Sequence, residues 1–205
     1  MTPEKKIVSL EEFLEMDKEN EHRLEYFDGE VVYLESPSVE HQRVLLNIAA
    51  EFRNYFRGKS CEVFISPLDV WLTNEEKTTK VKVQPDLMVI SDKAGLKKNA
   101  YYGVPDLIIE IIAPSNESHD RVKKYSTYME FGINEYWMVN PKLKTIEVYI
   151  FEEDEYKQVA IYKGDDCAVS QTFKELKIYL DVIFSEGWDW ILCIYHHFYK
   201  NITIK

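Results

Sequence analysis

Two acidic residues stand where acids rarely stand. Asp86 follows a proline in "VQPDLMVI", and Glu110 is set among isoleucines in "DLIIEIIA". A carboxylate moved out of water costs several kcal/mol, roughly, unless something pairs with it. Side chains of a strand alternate between its two faces. That alternation puts Gln84, Asp86, Met88 and Ile90 on one face of the first segment, and Ile108, Glu110 and Ile112 on one face of the second. If the two strands are neighbours, Asp86 and Glu110 point to the same side and nearly meet. Two carboxylates that close repel, and each favours its protonated form. A hard divalent cation removes the conflict. Mg²⁺ binds through one or two carboxylates and keeps waters for a phosphate substrate. Lys124, in "HDRVKKYSTYMEF", begins the next element and is four residues from both Asp120 and Tyr128. At the rim of the sheet it would pair along the helix with Asp120, help deprotonate an attacking water and offset phosphorane charge.

Each piece also has a plain structural reading. Asp86 after Pro85 suits a strand-end cap, and Asp106 after Pro105 suits turn chemistry. Lys123 and Lys124 alone form a solvated helix face. His41 near a helix start is a local hydrogen-bonding group, and His196 and His197 carry no role. Glu110 resists such a reading, because charged side chains are almost never fully buried unpaired.

The elements that must position these groups follow from pattern. Ser9 before "LEEF" caps a helix reaching about Asp17. Asp28-Gly29 between two alternating runs marks a hairpin. Ser38 opens a helix whose apolar stripe is Val44, Leu45, Ile48, Ala49, Phe52, Tyr55 and Phe56, closed by Gly58. "CEVFISPLDVWL" and "TKVKVQPDLMVI" read as strands joined by a polar loop. "DLIIEIIA" reads as a central strand. "SNESHDRVKKYSTYMEFG" is a second long helix, and "EYWMV", "TIEVYIFE" and "YKQVAIYK" are strands, the last two a hairpin. This order predicts an α/β (α+β) fold with a mixed central sheet flanked by helices. One domain is expected over residues 1–187, with an atypical aromatic tail over 188–205.

The chain has 205 residues and a formal net charge of −11, which argues against broad electrostatic attachment to nucleic acid or an anionic membrane. Cys61, Cys167 and Cys193 are widely spaced and lack a CxxC, so reduced thiols and a cytoplasmic location are expected. Neither a signal peptide nor a membrane span is predicted, and no Gly-rich loop cradles a nucleotide.

The ordered segments "EYFDGEVVYLESPSVEHQRVLLNI", "CEVFISPLDVWL", "QPDLMVI", "GVPDLIIEIIAPSNESHDRVKKYSTYMEFGINEYWMVNP" and "KTIEVYI" resemble the Uma family, a group of restriction-endonuclease candidates within the PD-(D/E)xK nuclease superfamily. The resemblance covers about residues 7 to 185. It implies a restriction-endonuclease-like core, Asp86 as the motif aspartate and Glu110 as the second metal ligand. The position two after Glu110 is Ile112, not lysine, so the lysine role moves to Lys124 on the next helix. The resemblance adds Glu25 as a further carboxylate, His41 as a phosphate contact or support, and Gln84 as an assisting group. Asp69 matches as well, with a structural role as its alternative.

Expected, then, is a Mg²⁺-dependent endonuclease, with Mn²⁺ as substitute metal, cutting DNA as a homodimer. The alternative is a catalytically inactive nuclease-fold protein that binds nucleic acid or protein.

Overall fold

The computed structural model describes residues 7–73, 80–112 and 119–186. The expected pairing of Lys124 with Asp120, the start of the second long helix and the aromatic tail lie outside the described residues or side chains. In chain order the elements are α1 (Leu10–Glu19), β1 (Leu24–Phe27), β2 (Glu30–Tyr33), α2 (Val39–Phe56), β3 (Glu62–Ile65), β4 (Asp69–Leu72), β5 (Val81–Val83), β6 (Leu87–Ile90), β7 (Ala100–Tyr102) and β8 (Leu107–Ile111). A wide helical turn (His119–Lys124) then runs into α3 (Tyr125–Glu130), followed by β9 (Glu135–Asn140), β10 (Thr145–Glu152), β11 (Glu155–Lys163), β12 (Cys167–Val169), β13 (Lys177–Tyr179) and α4 (Leu180–Ile183).

Local chemistry places these boundaries. Ser9 and Glu12 form a reciprocal capping box on α1, and the Ser38 hydroxyl accepts from the His41 amide at the start of α2. The β1–β2 turn holds Asp28 at φ 45° and Gly29 at φ 102°, the left-handed pair that a two-residue hairpin needs. A Cβ on Gly29 would also come within 2.7 Å of the exposed Ile7 side chain, which would have to move, so the φ of 102° is the stronger reason for glycine there.

Two segments that read as single strands are each broken by a proline. Pro67 separates β3 from β4, and Pro85 separates β5 from β6. Proline has no N–H to donate to a ladder and stops strand pairing. Each ribbon therefore crosses between sheets. Among the described residues one sheet has the order β2-β1-β5-β4-β7, a second has the order β11-β10-β9-β8-β6-β3, and β12 pairs with β13. In the larger sheet β8 lies antiparallel to β6 and parallel to β9, so that sheet is mixed, as expected.

The core is layered. Val44, Leu45, Ile48 and Phe52 of α2 pack on Leu87, Val89, Leu107, Ile109 and Ile111, one face of β6 and β8. The opposite face, with Met88, Ile90, Ile108 and Ile112, packs on Tyr128 and Phe131 of the second helix region and on Val70, Leu72, Val81 and Val83 of the smaller sheet. The outer face of the smaller sheet is covered by α1, whose Phe13 stacks on Tyr26 at a centroid distance of 4.7 Å. The near-continuous apolar run of β8 is thus explained by cover on both faces. No helix among the described residues is long and apolar enough to cross a membrane. Cys61 and Cys167 are free thiols.

Candidate active site

The register of β6 and β8 pairs Leu87 with Ile109 and Met88 with Ile108. Extended by one residue, it sets Asp86 across from Glu110. The adjacency expected from alternation is present, but the alternation itself does not run through Pro85. Gln84 follows the end of β5 in the smaller sheet, and Asp86 precedes the first residue of β6. Freed from a regular strand, the Asp86 carboxylate turns to two partners. Oδ2 accepts the Ile111 amide at 2.8 Å, and Oδ1 lies 3.1 Å from His41 Nε2. Beside Pro85 the main-chain ladder cannot continue, and the Asp86 side chain takes the amide that the ladder leaves over.

Glu110 engages the other side. Its Oε1 accepts the Tyr128 hydroxyl at 2.6 Å and lies 3.0 Å from Lys124 Nζ. Lys124 also lies 3.1 Å from Glu25 Oε1, which accepts the Gln84 amide at 2.9 Å. Glu25 is 0% exposed, Glu110 2% and Lys124 4%. One buried ammonium therefore bridges a carboxylate of the smaller sheet and a carboxylate of the larger. A charge-assisted pair of this kind is tight and shielded from salt. Burial, reinforced by the charges of Glu110 and Glu25, pushes the Tyr128 hydroxyl well above the ordinary tyrosine range, so Tyr128 is a proton-holding donor to Glu110.

The expected residues fall into two neighbouring groups. Glu25, Gln84, Glu110 and Lys124 are linked directly, and Asp86 is linked to His41. His41 belongs to α2, on the Leu87 and Val89 face, whereas Tyr128 packs with the Met88 and Ile108 face. The two carboxylates thus flank the end of the β6–β8 pair, with partners drawn from opposite faces. This corrects the expectation of a shared face for Gln84, Asp86, Met88 and Ile90. Lys123 does not join the cluster. It pairs with Glu30 and lies 4.8 Å from the Phe27 ring centroid. Asp106 is the turn residue it was read to be, accepting from Ser91 N at 2.7 Å and from Ser91 Oγ at 2.8 Å.

Two participants were not assigned from sequence. Tyr128 is four residues beyond Lys124, one helical turn away on the same face, and that spacing was the available signal. Lys82 reads as an outward lysine in "VKV" but is 2% exposed, with Nζ 2.8 and 2.7 Å from the two Asp17 oxygens and 3.1 Å from Asp69 Oδ1.

Among the described residues no three His, Cys, Asp or Glu side chains form a group that could hold a metal ion. Mg²⁺ needs fewer, since one or two carboxylates with waters suffice. Asp86 and Glu110 supply oxygen donors of the hard type at opposite register positions at the end of the β6–β8 pair, and a third carboxylate, Glu25, shares Lys124 with Glu110. The chemistry of this donor set fits a hard divalent cation.

Comparison with known proteins agrees with this architecture. A family model described as "Uma2: Putative restriction endonuclease" matches residues 10–182. An uncharacterized protein of Synechocystis sp. (strain ATCC 27184 / PCC 6803 / Kazusa) is 26% identical over 160 residues, 78% of this chain and 82% of the relative. A second uncharacterized protein from that strain is 22% identical over 174 residues, 83% of this chain and 96% of the relative. Among solved structures, the chain resembles a "putative nuclease belonging to DUF820" from Anabaena variabilis ATCC 29413, with a TM-score of 0.69 and 19% identity over 86% of this chain and 97% of that one. At that identity the likeness concerns the fold.

Proposed function

The chain belongs to the Uma2 family, and on that premise we propose that it is a Mg²⁺-dependent endonuclease that hydrolyses phosphodiester bonds of DNA. The observation that carries this reading is Asp86 standing opposite Glu110 in register at the end of the β6–β8 pair, with Lys124 Nζ 3.0 Å from Glu110.

Asp86 and Glu110 would hold the cation. When bound, such a cation lowers the pKa of a coordinated water and polarises a phosphoryl oxygen. The chain's own groups do the rest. Lys124 orients the attacking water and offsets charge that builds on the phosphorane. Glu25 and Glu110 hold the Lys124 amine between them, so its position beside Glu110 is fixed from both sheets. Tyr128 keeps Glu110 in one orientation without competing for its proton. His41 holds one Asp86 oxygen and the Ile111 amide holds the other, which fixes the carboxylate in place. The cluster is dry enough for these charges to act at low screening.

The test is plasmid nicking with Mg²⁺ or Mn²⁺, paired with calorimetric metal titration. Glu110→Ala should lower cleavage about 100-fold or more, and Asp86→Ala should lose metal binding. Equal metal uptake by wild type and Asp86→Ala ends the proposal. A second reading, a nuclease fold that binds without cutting, is favoured by the net charge of −11, which weakens nonspecific DNA affinity. It prevails if the folded protein nicks nothing under any metal condition.

A further inference from the structure

A chain of shared acceptors leads from α1 to the site. Lys82, 2% exposed, is paired with Asp17 at 2.8 and 2.7 Å and with Asp69 Oδ1 at 3.1 Å. The same Asp69 oxygen accepts Gln84 Nε2 at 2.7 Å. The Gln84 backbone amide then donates to Glu25 Oε1 at 2.9 Å, and Glu25 meets Lys124 at 3.1 Å. Gln84 Oε1 is buried and has no hydrogen-bond partner among the described residues.

A buried acceptor left without a donor costs about 1–3 kcal/mol, so its retention calls for a reason. An ionised carboxylate only accepts. Facing Asp69, the Gln84 amide must therefore present Nε2 to it and turn Oε1 away. Lys82 pairs with Asp69 and holds it in place. A buried ammonium is itself a poor source of stability, because apolar replacement of such pairs is often neutral or better. Both oddities are resolved by one role.

We propose that Lys82 and Asp69 are positioning residues that lock the side-chain amide of Gln84, so that its carbonyl oxygen is held out as a neutral acceptor for the hydrated cation of the neighbouring site. This rests on the metal-dependent reading above and deepens it. The carbonyl adds an oxygen donor without adding charge, which suits a hard cation already facing carboxylates. Lys82 and Asp69 touch neither cation nor substrate; they act through Gln84.

The test uses the full chain and three variants, Asp69→Asn, Gln84→Ala and the double. In the wild type the Gln84 side-chain N–H protons should exchange slowly with solvent, and Asp69→Asn, which can donate as well as accept, should release them. Calorimetry with Mn²⁺ should show about 10- to 100-fold weaker binding in Asp69→Asn, the scale of second-layer losses, with a melting temperature close to wild type. The double variant should bind no more weakly than Gln84→Ala alone. Lys82→Met should give the same loss as Asp69→Asn, with partial recovery in Lys82→Arg. Unchanged Mn²⁺ affinity in Asp69→Asn, additive losses in the double variant, or fast exchange of the wild-type amide overturns the proposal. A wild type that takes up no Mn²⁺ instead removes the metal reading itself, and with it the carbonyl's ligand, while the exchange experiment still decides whether Asp69 holds the amide.

Discussion

Glu110 and Glu135 are buried carboxylates on neighbouring strands of one sheet, and the two are satisfied in different ways. Among the described residues, Glu135, 0% exposed, accepts only neutral donors: Trp137 Nε1 at 2.6 Å, Ser170 Oγ at 2.7 Å, Thr172 N at 2.8 Å and Gln171 N at 3.2 Å. Both of its oxygens are filled, and the 170–172 segment is pinned against β9. Glu110 is held by an ammonium and a phenol, and that ammonium is shared with Glu25. The first arrangement is a fastener. The second keeps charges together in a dry place where their rearrangement has consequences. Burial of an acid is therefore a weak sign of function, and the kind of partner it takes is a stronger one.

The contrast can be tested where it is widest. Glu135→Ala strands four donors, two of them backbone amides, and should cost about 3 kcal/mol or more in chemical denaturation. Cleavage per folded molecule should not change. A clear loss of cleavage in folded Glu135→Ala would erase the distinction between fastener and site. The next effect has the opposite sign. Replacing the ionic triad together, as Glu25→Leu, Lys124→Met and Glu110→Leu, should leave stability unchanged or raise it by about 1–4 kcal/mol, because the desolvation cost of three charges disappears. Nicking should vanish. A strongly destabilised triple variant would mean that the triad, like Glu135, is a structural clamp. The smallest effect is at the phenol. Tyr128→Phe removes one hydrogen bond to a charged group and should cost about 1.5–3 kcal/mol near neutral pH.

That last variant also carries a pH signature. Tyrosine in the unfolded chain titrates near the ordinary value of 10.0, and Tyr128 in the fold titrates well above it. Its contribution is therefore fully present below pH 10 and is lost as pH climbs from there toward the raised folded value, since only the unfolded state gives up the proton. Alkaline denaturation should be shallower in Tyr128→Phe than in wild type. Glu135 has no titrating donor, so its variants should leave the alkaline limb alone.

Much of this was legible in the chain. Caps at Ser9 and Ser38, the Asp28-Gly29 turn and the two faces of β8 are local signals, and local signals survive folding. The pairing of β6 with β8 and the approach of Lys124 to Glu110 could be anticipated because all three elements lie within a short stretch. The breaks at Pro67 and Pro85 were visible as residues, yet the apolar alternation runs straight through them, so each ribbon reads as one strand. Lys82 was hidden for another reason. Alternation assigns it to the outer face correctly, but only the docking of α1, 65 residues away in the chain at Asp17, turns that face into an interior. Tyr128 was visible only through its four-residue spacing from Lys124; its ring packs in the core, and its hydroxyl is what reaches Glu110.

The two proline breaks have a mechanical consequence. Because β3–β4 and β5–β6 each pass from one sheet to the other through a short proline-containing segment, these two crossings tie the sheets closely, beside the longer connections that also run between them. Both crossings are short, so the ends of the two sheets are held next to each other at Pro67 and at Pro85. On the proposed nuclease reading, a nucleic-acid strand would meet the molecule at the Pro85 crossing, where Gln84 leaves one sheet and Asp86 enters the other.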